Sequence, residues 1–349
     1  MFKADATGKG KDSIGSDWFA AKSTPGENIA QGTPRADGSP PVCRLQPTAW
    51  GCVSPYVGGV LDSHVHLYPA AINADPAGWA AAHGEGDWAV LATRRRRDGQ
   101  PVQTFPSAGE LLRAMDAGGI ERAVLLGWYW RTAAACRIQN RFYAECRRAH
   151  PDRLSACAAL QPAAGPAAVR AELVWAREQG LQGIGELSPQ AQGCPAGDPG
   201  LAAALALAGE WGWPVTLHVT DPAGRAYPGR VATPWEDFAG LAAAFPGTSL
   251  ILAHWGGGFP LAAREPAAAN LYFDTAASPL LYGPDIWRRF VSAVGAPRVL
   301  FGSDFPLNCY PKLEREPGFG RLLAEARAGG LESAELAAVL AGNARRWFA

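Results

Sequence analysis

From residue 59 onward, short apolar runs of β-forming residues alternate with longer segments rich in Ala, Leu, Glu and Arg. This rhythm restricts the fold more than any other feature, because strands alternating with helices build parallel sheets from βα units. Eight runs read as strands: Gly59–His66, Ala123–Trp128, Leu154–Leu160, Gly183–Leu187, Pro214–Val219, Leu250–His254, Leu271–Asp274 and Val299–Asp304. Between them Arg131–Ala149, Ala167–Gln179, Pro199–Glu210, Pro234–Ala244, Pro284–Val294 and Gly318–Ala328 read as helices. Pro199, Pro234 and Pro284 suit first-turn positions, where a missing N–H loses no hydrogen bond. The pattern predicts an α/β chain folded as a (β/α)₈ TIM barrel over residues 59–349. With 48% hydrophobic and 18% charged residues, the chain can bury such a core. The competing arrangement, a doubly wound open sheet, would carry a Gly-rich dinucleotide loop after its first strand. Here that strand ends in His64-Val65-His66.

Two stretches depart from the rhythm. Residues 1–58 are rich in Gly, Pro, Ser and Thr and hold no helical or strand period, so they read as an irregular N-terminal arm. Trp18 and Trp50 are its candidates for docking on the barrel. Residues 69–106 interrupt the first βα unit. A βα loop lies over the C-terminal face of a barrel, so this insertion is expected to form a lid or pocket wall. It holds Trp79, Trp88 and the run Arg94–Arg97 before Asp98-Gly99, which reads as a hairpin tip. A solvated turn is the expected role of those arginines, with anion binding as the alternative.

Net charge is zero, from 32 basic and 32 acidic residues, which speaks against nucleic acid or an anionic membrane as a partner. The seven cysteines include no CxxC pair, so neither a disulfide framework nor a cysteine zinc site is expected. Small buried apolar residues are the expected role of most of them, and a Cys43–Cys52 pair is an alternative that is not favoured. No secretory signal and no membrane span are read, and a cytoplasmic enzyme is the expectation.

The chemistry centres on histidine, of which the chain has six. Side chains two apart on a strand share a face, so His64 and His66 both point into the barrel near the strand's C-terminal end. Their Cα atoms stand about 6–7 Å apart, a spacing at which two imidazoles can hold one metal ion. His218 and His254 end the fifth and sixth strands and Asp304 ends the eighth, so all five side chains converge on one rim. His83, in the insertion, and His150, at a helix end where positive charge suits the dipole, lie off this pattern and are read as non-catalytic.

These motifs resemble the amidohydrolase superfamily, and within it the branch of metal-dependent hydrolases and non-oxidative decarboxylases. The resemblance rests on Asp62-Ser63-His64-Val65-His66, Thr216-Leu217-His218, Leu252-Ala253-His254-Trp255-Gly256-Gly257 and Gly302-Ser303-Asp304-Phe305-Pro306. It runs from about residue 59 to the C-terminus and leaves the arm uncovered. It implies His64, His66, His218 and Asp304 as metal ligands, and His254 as ligand to a second metal or as a catalytic residue beside the first. Many members place a modified Lys on strand four to bridge two metals, whereas this chain has Gly183-Ile184-Gly185-Glu186-Leu187. Some relatives, such as the TatD-type hydrolases, use a Glu there. Glu186 is therefore expected either to bridge or ligate, or to support a ligand by hydrogen bonding.

Imidazole and carboxylate ligands suit Zn²⁺, with Mn²⁺ or Fe²⁺ as alternatives, as one or two ions. Such a metal brings the pKa of bound water toward about 7, Asp304 can carry the proton, and His254 can polarise a substrate carbonyl. The expected activity is hydrolysis of a small amide, lactone or ester. Alternatives are non-oxidative decarboxylation of an aromatic acid, a metal-dependent nuclease or phosphoesterase, and a catalytically inactive barrel that binds a ligand. The loop after strand five offers Asp221, Arg225, Tyr227 and Arg230, of which Arg225 or Arg230 is the candidate for a substrate carboxylate. Trp128 and Trp255 are candidate pocket walls for an apolar or aromatic small molecule, and Asp274-Thr275, ending strand seven, are candidates for added polar contacts. Assembly into a homo-oligomer is compatible with all of these readings.

Overall fold

The computed structural model describes residues 59–263 and 266–348. The arm, with Trp18, Trp50, Cys43 and Cys52, lies outside the described residues. Eight parallel strands follow in order: β1 (Val60–Val65), β2 (Ile120–Leu125), β3 (Leu154–Ala156), β4 (Ile184–Leu187), β5 (Val215–Leu217), β6 (Leu250–Leu252), β7 (Leu271–Asp274) and β8 (Val299–Leu300). They pair as two arcs, β1-β2-β3 and β4-β5-β6-β7-β8. A parallel bridge between Ala158 and Ile184 joins β3 to β4, and another between Val65 and Phe305 joins β1 to the segment after β8. Backbone bonds hold both seams: Ala158 N donates to Gly183 O at 2.9 Å and Ser63 N to Phe301 O at 2.8 Å. The chain is a (β/α)₈ barrel.

The strands are legible because helices cover the sheet and bury both faces, which gives continuous apolar runs such as Leu250-Ile251-Leu252. Leu61, Val124, Leu126, Cys157, Ile251 and Leu300 form one buried cluster with Ala341, Ala344 and Phe348 of the last helices. Several strands are shorter than the sequence suggests, because pairing stops before the rim while the chain continues to the site. Pro199 does open its helix, but Pro234 is the residue before Trp235–Ala244 and Pro284 precedes Ile286–Val294. A helix over Ala108–Gly118 follows the insertion, started by a capping box of Ser107 with Glu110 and ended by Gly119 at φ 73°.

The insertion is a packed wall. Helices Ala70–Ala74, Pro76–His83 and Gly86–Ala92 precede a small hairpin that pairs Arg95 with Pro101 around Asp98-Gly99. Ile72, Ala80, Trp88 and Ala92 bury against Tyr68, Trp130 and Ala159. Buried Glu85 accepts from Arg131 N, Thr132 N and Thr132 Oγ1 at 2.9, 2.9 and 2.7 Å, clamping the insertion to the loop after β2. Among the described residues the cysteines are free, and no helix is long and apolar enough to cross a membrane.

Candidate metal centre

The end of β1 is tied to the segment after β8 by Asp62, whose Oδ1 accepts from His64 N at 3.0 Å and Ser303 N at 3.1 Å. His64 Nδ1 donates to Asp274 Oδ2 at 2.8 Å, and His66 Nδ1 donates to Leu126 O at 3.1 Å. An imidazole whose Nδ1–H is committed to an oxygen presents an Nε2 lone pair. The two Nε2 atoms therefore converge, 3.1 Å apart. Asp304 Oδ1 stands 3.8 Å from the first and 3.5 Å from the second.

A second group faces this one. His218, one residue past β5, puts Nδ1 at 2.9 Å from Glu186 Oε1. His254 donates from Nδ1 to Ala276 O at 3.1 Å and turns Nε2 to 3.5 Å from the same Glu186 oxygen. The other oxygen, Oε2, lies 3.9 and 3.8 Å from His64 and His66 Nε2. The ligand atoms thus fall into two triads, His64/His66/Asp304 and Glu186/His218/His254, each within 4.8 Å. The resemblance placed His218 with the β1 pair; in the structure it groups with Glu186 and His254. His83 and His150 belong to neither triad. His83 instead stacks on Trp79, with ring centroids 4.2 Å apart.

The backbone is bent to make this arrangement. His254, Trp255 and Asp304 have φ of 59°, 57° and 67°, in the left-handed region that side-chain-bearing residues seldom occupy. That turn carries the Trp255 ring away from the rim. It is fully buried, donates from Nε1 to Ser278 Oγ at 2.9 Å and packs on Trp287 and Phe290, so it is a core residue and not a pocket wall.

The electrostatics suit a cation. Burial pushes His64 down, yet Asp274, Glu186 and Asp304 together carry it up to about 10. His254 follows the same pattern, lowered by burial and raised by Glu186 and Asp304 to about 9. Burial raises Glu186, but His218, His254 and His64 hold it well below the usual carboxylate range. Among the described residues no Lys or Arg pairs with Glu186, Asp274 or Asp304. Three carboxylates balanced only by imidazoles, with three Nε2 lone pairs aimed at the same space, fit one or two divalent ions.

The cage opens on one side. The His218 and Asp304 side chains are 16% and 14% exposed, against 0% for His64 and 2% for Glu186. Trp128 lies edge-on to His66, with centroids 5.3 Å apart, and stacks on Tyr129, whose ring is 5.2 Å from that of His218. Trp128 and Tyr129 thus lie side by side against the two triads. Arg225 is exposed and reaches none of these groups. Arg230 spends its guanidinium on its own loop, donating to Asp221 O at 2.8 Å and Pro222 O at 3.3 Å. Tyr227 is half-buried beneath a different arginine, Arg94, whose guanidinium carbon lies 4.5 Å from its ring.

Fold and ligand cage together define a metal-binding barrel of the amidohydrolase superfamily. The chain belongs to the amidohydrolase family, whose profile matches residues 61–349. No curated protein matches it by sequence. Among solved structures it is similar to a 5-carboxyvanillate decarboxylase from Novosphingobium aromaticivorans, bound to manganese and 4-hydroxy-3-methoxy-5-nitrobenzoic acid. That pair has a TM-score of 0.64 and 15% identity, covering 84% of this chain and 97% of the other. It is also similar to a 2,6-dihydroxybenzoate decarboxylase from Rhizobium, with TM-score 0.54, 20% identity and coverage of 83% and 98%. A putative 2-pyrone-4,6-dicarboxylic acid hydrolase from Pseudomonas putida gives TM-score 0.55, 19% identity and coverage of 83% and 98%. At these identities the likeness establishes the shared fold.

Proposed function

We propose that the protein is a metal-dependent hydrolase of a small amide, lactone or ester, with one divalent ion at each triad and Glu186 between them. The observation that carries this reading is the placement of Glu186, which turns one oxygen to each triad. Zn²⁺ suits the donor set, with Mn²⁺ or Fe²⁺ as alternatives. The bound ions would supply a polarised substrate carbonyl and an acidified water. Asp304, on the open side, takes the proton of the attacking water and returns it to the leaving group. Asp274 holds His64 in one tautomer. Trp128 and Tyr129 line the open side with flat apolar surface against which a ring can lie.

Decarboxylation of an aromatic acid is the second reading. It draws on that same aromatic wall and on the similar decarboxylase with its manganese and nitrobenzoic acid ligand. Elemental analysis and product assays separate the two. Hydrolysis predicts two ions per chain, falling to one or none in Glu186→Ala, and acid release from a panel of lactones, amides and esters. One ion that is insensitive to Glu186, together with CO₂ release from aryl carboxylates, would replace hydrolysis with decarboxylation. Asp304→Asn should abolish turnover with the fold intact, and near-wild-type activity would sink its proton-carrying role.

A further inference from the structure

The run Arg94–Arg97 divides its labour. Arg95 donates to Gly99 O at 2.8 Å and Arg96 to Asn308 O at 2.6 Å, both as hairpin and loop ties, and Arg97 is exposed. Arg94 turns inward. Its guanidinium lies over the Tyr227 ring, its Nη1 is buried with no hydrogen-bond partner, and among the described residues no carboxylate pairs with it. Burial lowers its pKa, while Tyr227, Tyr129 and Asp304 act on it in the opposite sense. A partly buried guanidinium with unused donors is costly to maintain unless something anionic meets it. Over the face of a tyrosine, its planar fork keeps donors free to meet a carboxylate.

The segment that carries Arg94 is held firmly. Asn308 N donates to Val102 O at 2.9 Å and Thr104 N to Pro306 O at 3.3 Å, so the hairpin is sewn to the loop that begins at Asp304. Gln103 and Leu307 form an antiparallel bridge in the same stretch. From the other side the loop of Tyr227 closes against the insertion, where a Cβ on Gly229 would stand 2.9 Å from Leu91 Cγ.

We propose that Arg94 receives a carboxylate of the substrate, so that the substrate is an aromatic or cyclic acid whose hydrolysable bond lies at the metal cage. The assignment rests on the hydrolytic reading for the fate of that bond, but not for the recognition of the acid. The aromatic surfaces of Trp128, Tyr129 and Tyr227 accept the ring, and Arg94 selects for its charge. Arg225, which the sequence suggested for this role, is exposed in the neighbouring loop.

Calorimetric titration of the Zn²⁺-loaded protein with benzoate and with benzamide, its neutral counterpart, tests this. Any contact of the probe with the ion is common to all variants, so the differences report on the arginine. Arg94→Met should weaken benzoate by about 10- to 100-fold, the range for a hydrogen bond between charged groups, and leave benzamide nearly unchanged. Arg94→Lys keeps the charge without the fork and should fall between. Arg225→Met should bind both probes as the wild type does. Unchanged benzoate affinity in Arg94→Met, equal weakening of both probes, or a selective loss in Arg225→Met would overturn the proposal. Should Arg94→Met fail to fold, the benzoate-to-benzamide ratio in Arg94→Lys decides, and an unchanged ratio overturns it. None of these readouts needs turnover, so CO₂ release in the product assay would overturn hydrolysis and leave Arg94 in place.

Discussion

Replacing Asp274 with Asn changes a single hydrogen bond to an imidazole and little else. Asp274 Oδ2 accepts from His64 Nδ1 at 2.8 Å, while Oδ1 accepts from His254 N at 2.9 Å and Ala276 N at 3.0 Å. Asn keeps an oxygen for the two backbone donors and turns an NH₂ group toward His64. His64 Nδ1 must then accept, its proton moves to Nε2, and the lone pair meant for an ion is lost. Hydrogen-bond partners of metal-ligating histidines tune affinity by about 10- to 100-fold, or roughly 1.4 to 2.7 kcal/mol. The loss should fall on the ion of His64, His66 and Asp304, because Asn still holds the backbone of His254. Elemental analysis across a series of chelator-buffered Zn²⁺ concentrations reads the two sites separately. One site should weaken within that range and the other hold. Asp274→Ala should lower thermal stability as well, since two buried N–H groups lose their acceptor at about 1–3 kcal/mol each. Wild-type affinity at both sites in Asp274→Asn would refute the reasoning, and equal weakening of both would show that Asp274 acts on the whole cage.

Chelation should lower the thermal midpoint by about 4–5 °C per ion, since an ion at a hundred times its Kd contributes about 2.7 kcal/mol; a scan unmoved after verified metal removal would contradict this. Glu85→Ala should free the insertion at a cost of about 1–3 kcal/mol, read as faster limited proteolysis within residues 70–106 and nowhere else. Gly127→Ala would set a Cβ 2.6 Å from the backbone N of Ala159, and the overpacking should cost about 1–3 kcal/mol in chemical denaturation. Trp255→Ala should lose about 3–5 kcal/mol as a core truncation; a stable variant with impaired substrate binding would move Trp255 back into the pocket.

The strands and the pairing of His64 with His66 were legible because both obey simple periods: two-sided burial gives apolar runs, and two-residue alternation turns His64 and His66 to one side. What escaped depends on geometry beyond a strand's end. His218 lies past the last paired residue of β5, and its hydrogen bond to Glu186 decides which triad it joins. Trp255 follows His254 directly, but two successive left-handed residues send its ring into the core. Within four consecutive arginines nothing in the composition tells which one faces inward; the pairing of Arg95 with Pro101 and the stitching of Val102 to Asn308 settle it. Asp274 belongs to no motif, and only the donors around it reveal its task.

The seam between β1 and β8 differs from every other in the ring. Each remaining pair of neighbouring strands is joined by a crossover that must be dragged along if the pair separates, whereas the first and last strands meet with no covalent connection between them. The barrel can open there without threading any segment. His64 and His66 stand on one side of that seam and Asp304 on the other. An ion in the first triad would therefore act as a clasp on the one edge free to part. Its kinetic signature should be a slower unfolding rate with little change in refolding, and its local signature slower amide exchange at residues 62–66 and 301–305 than in the chelated protein.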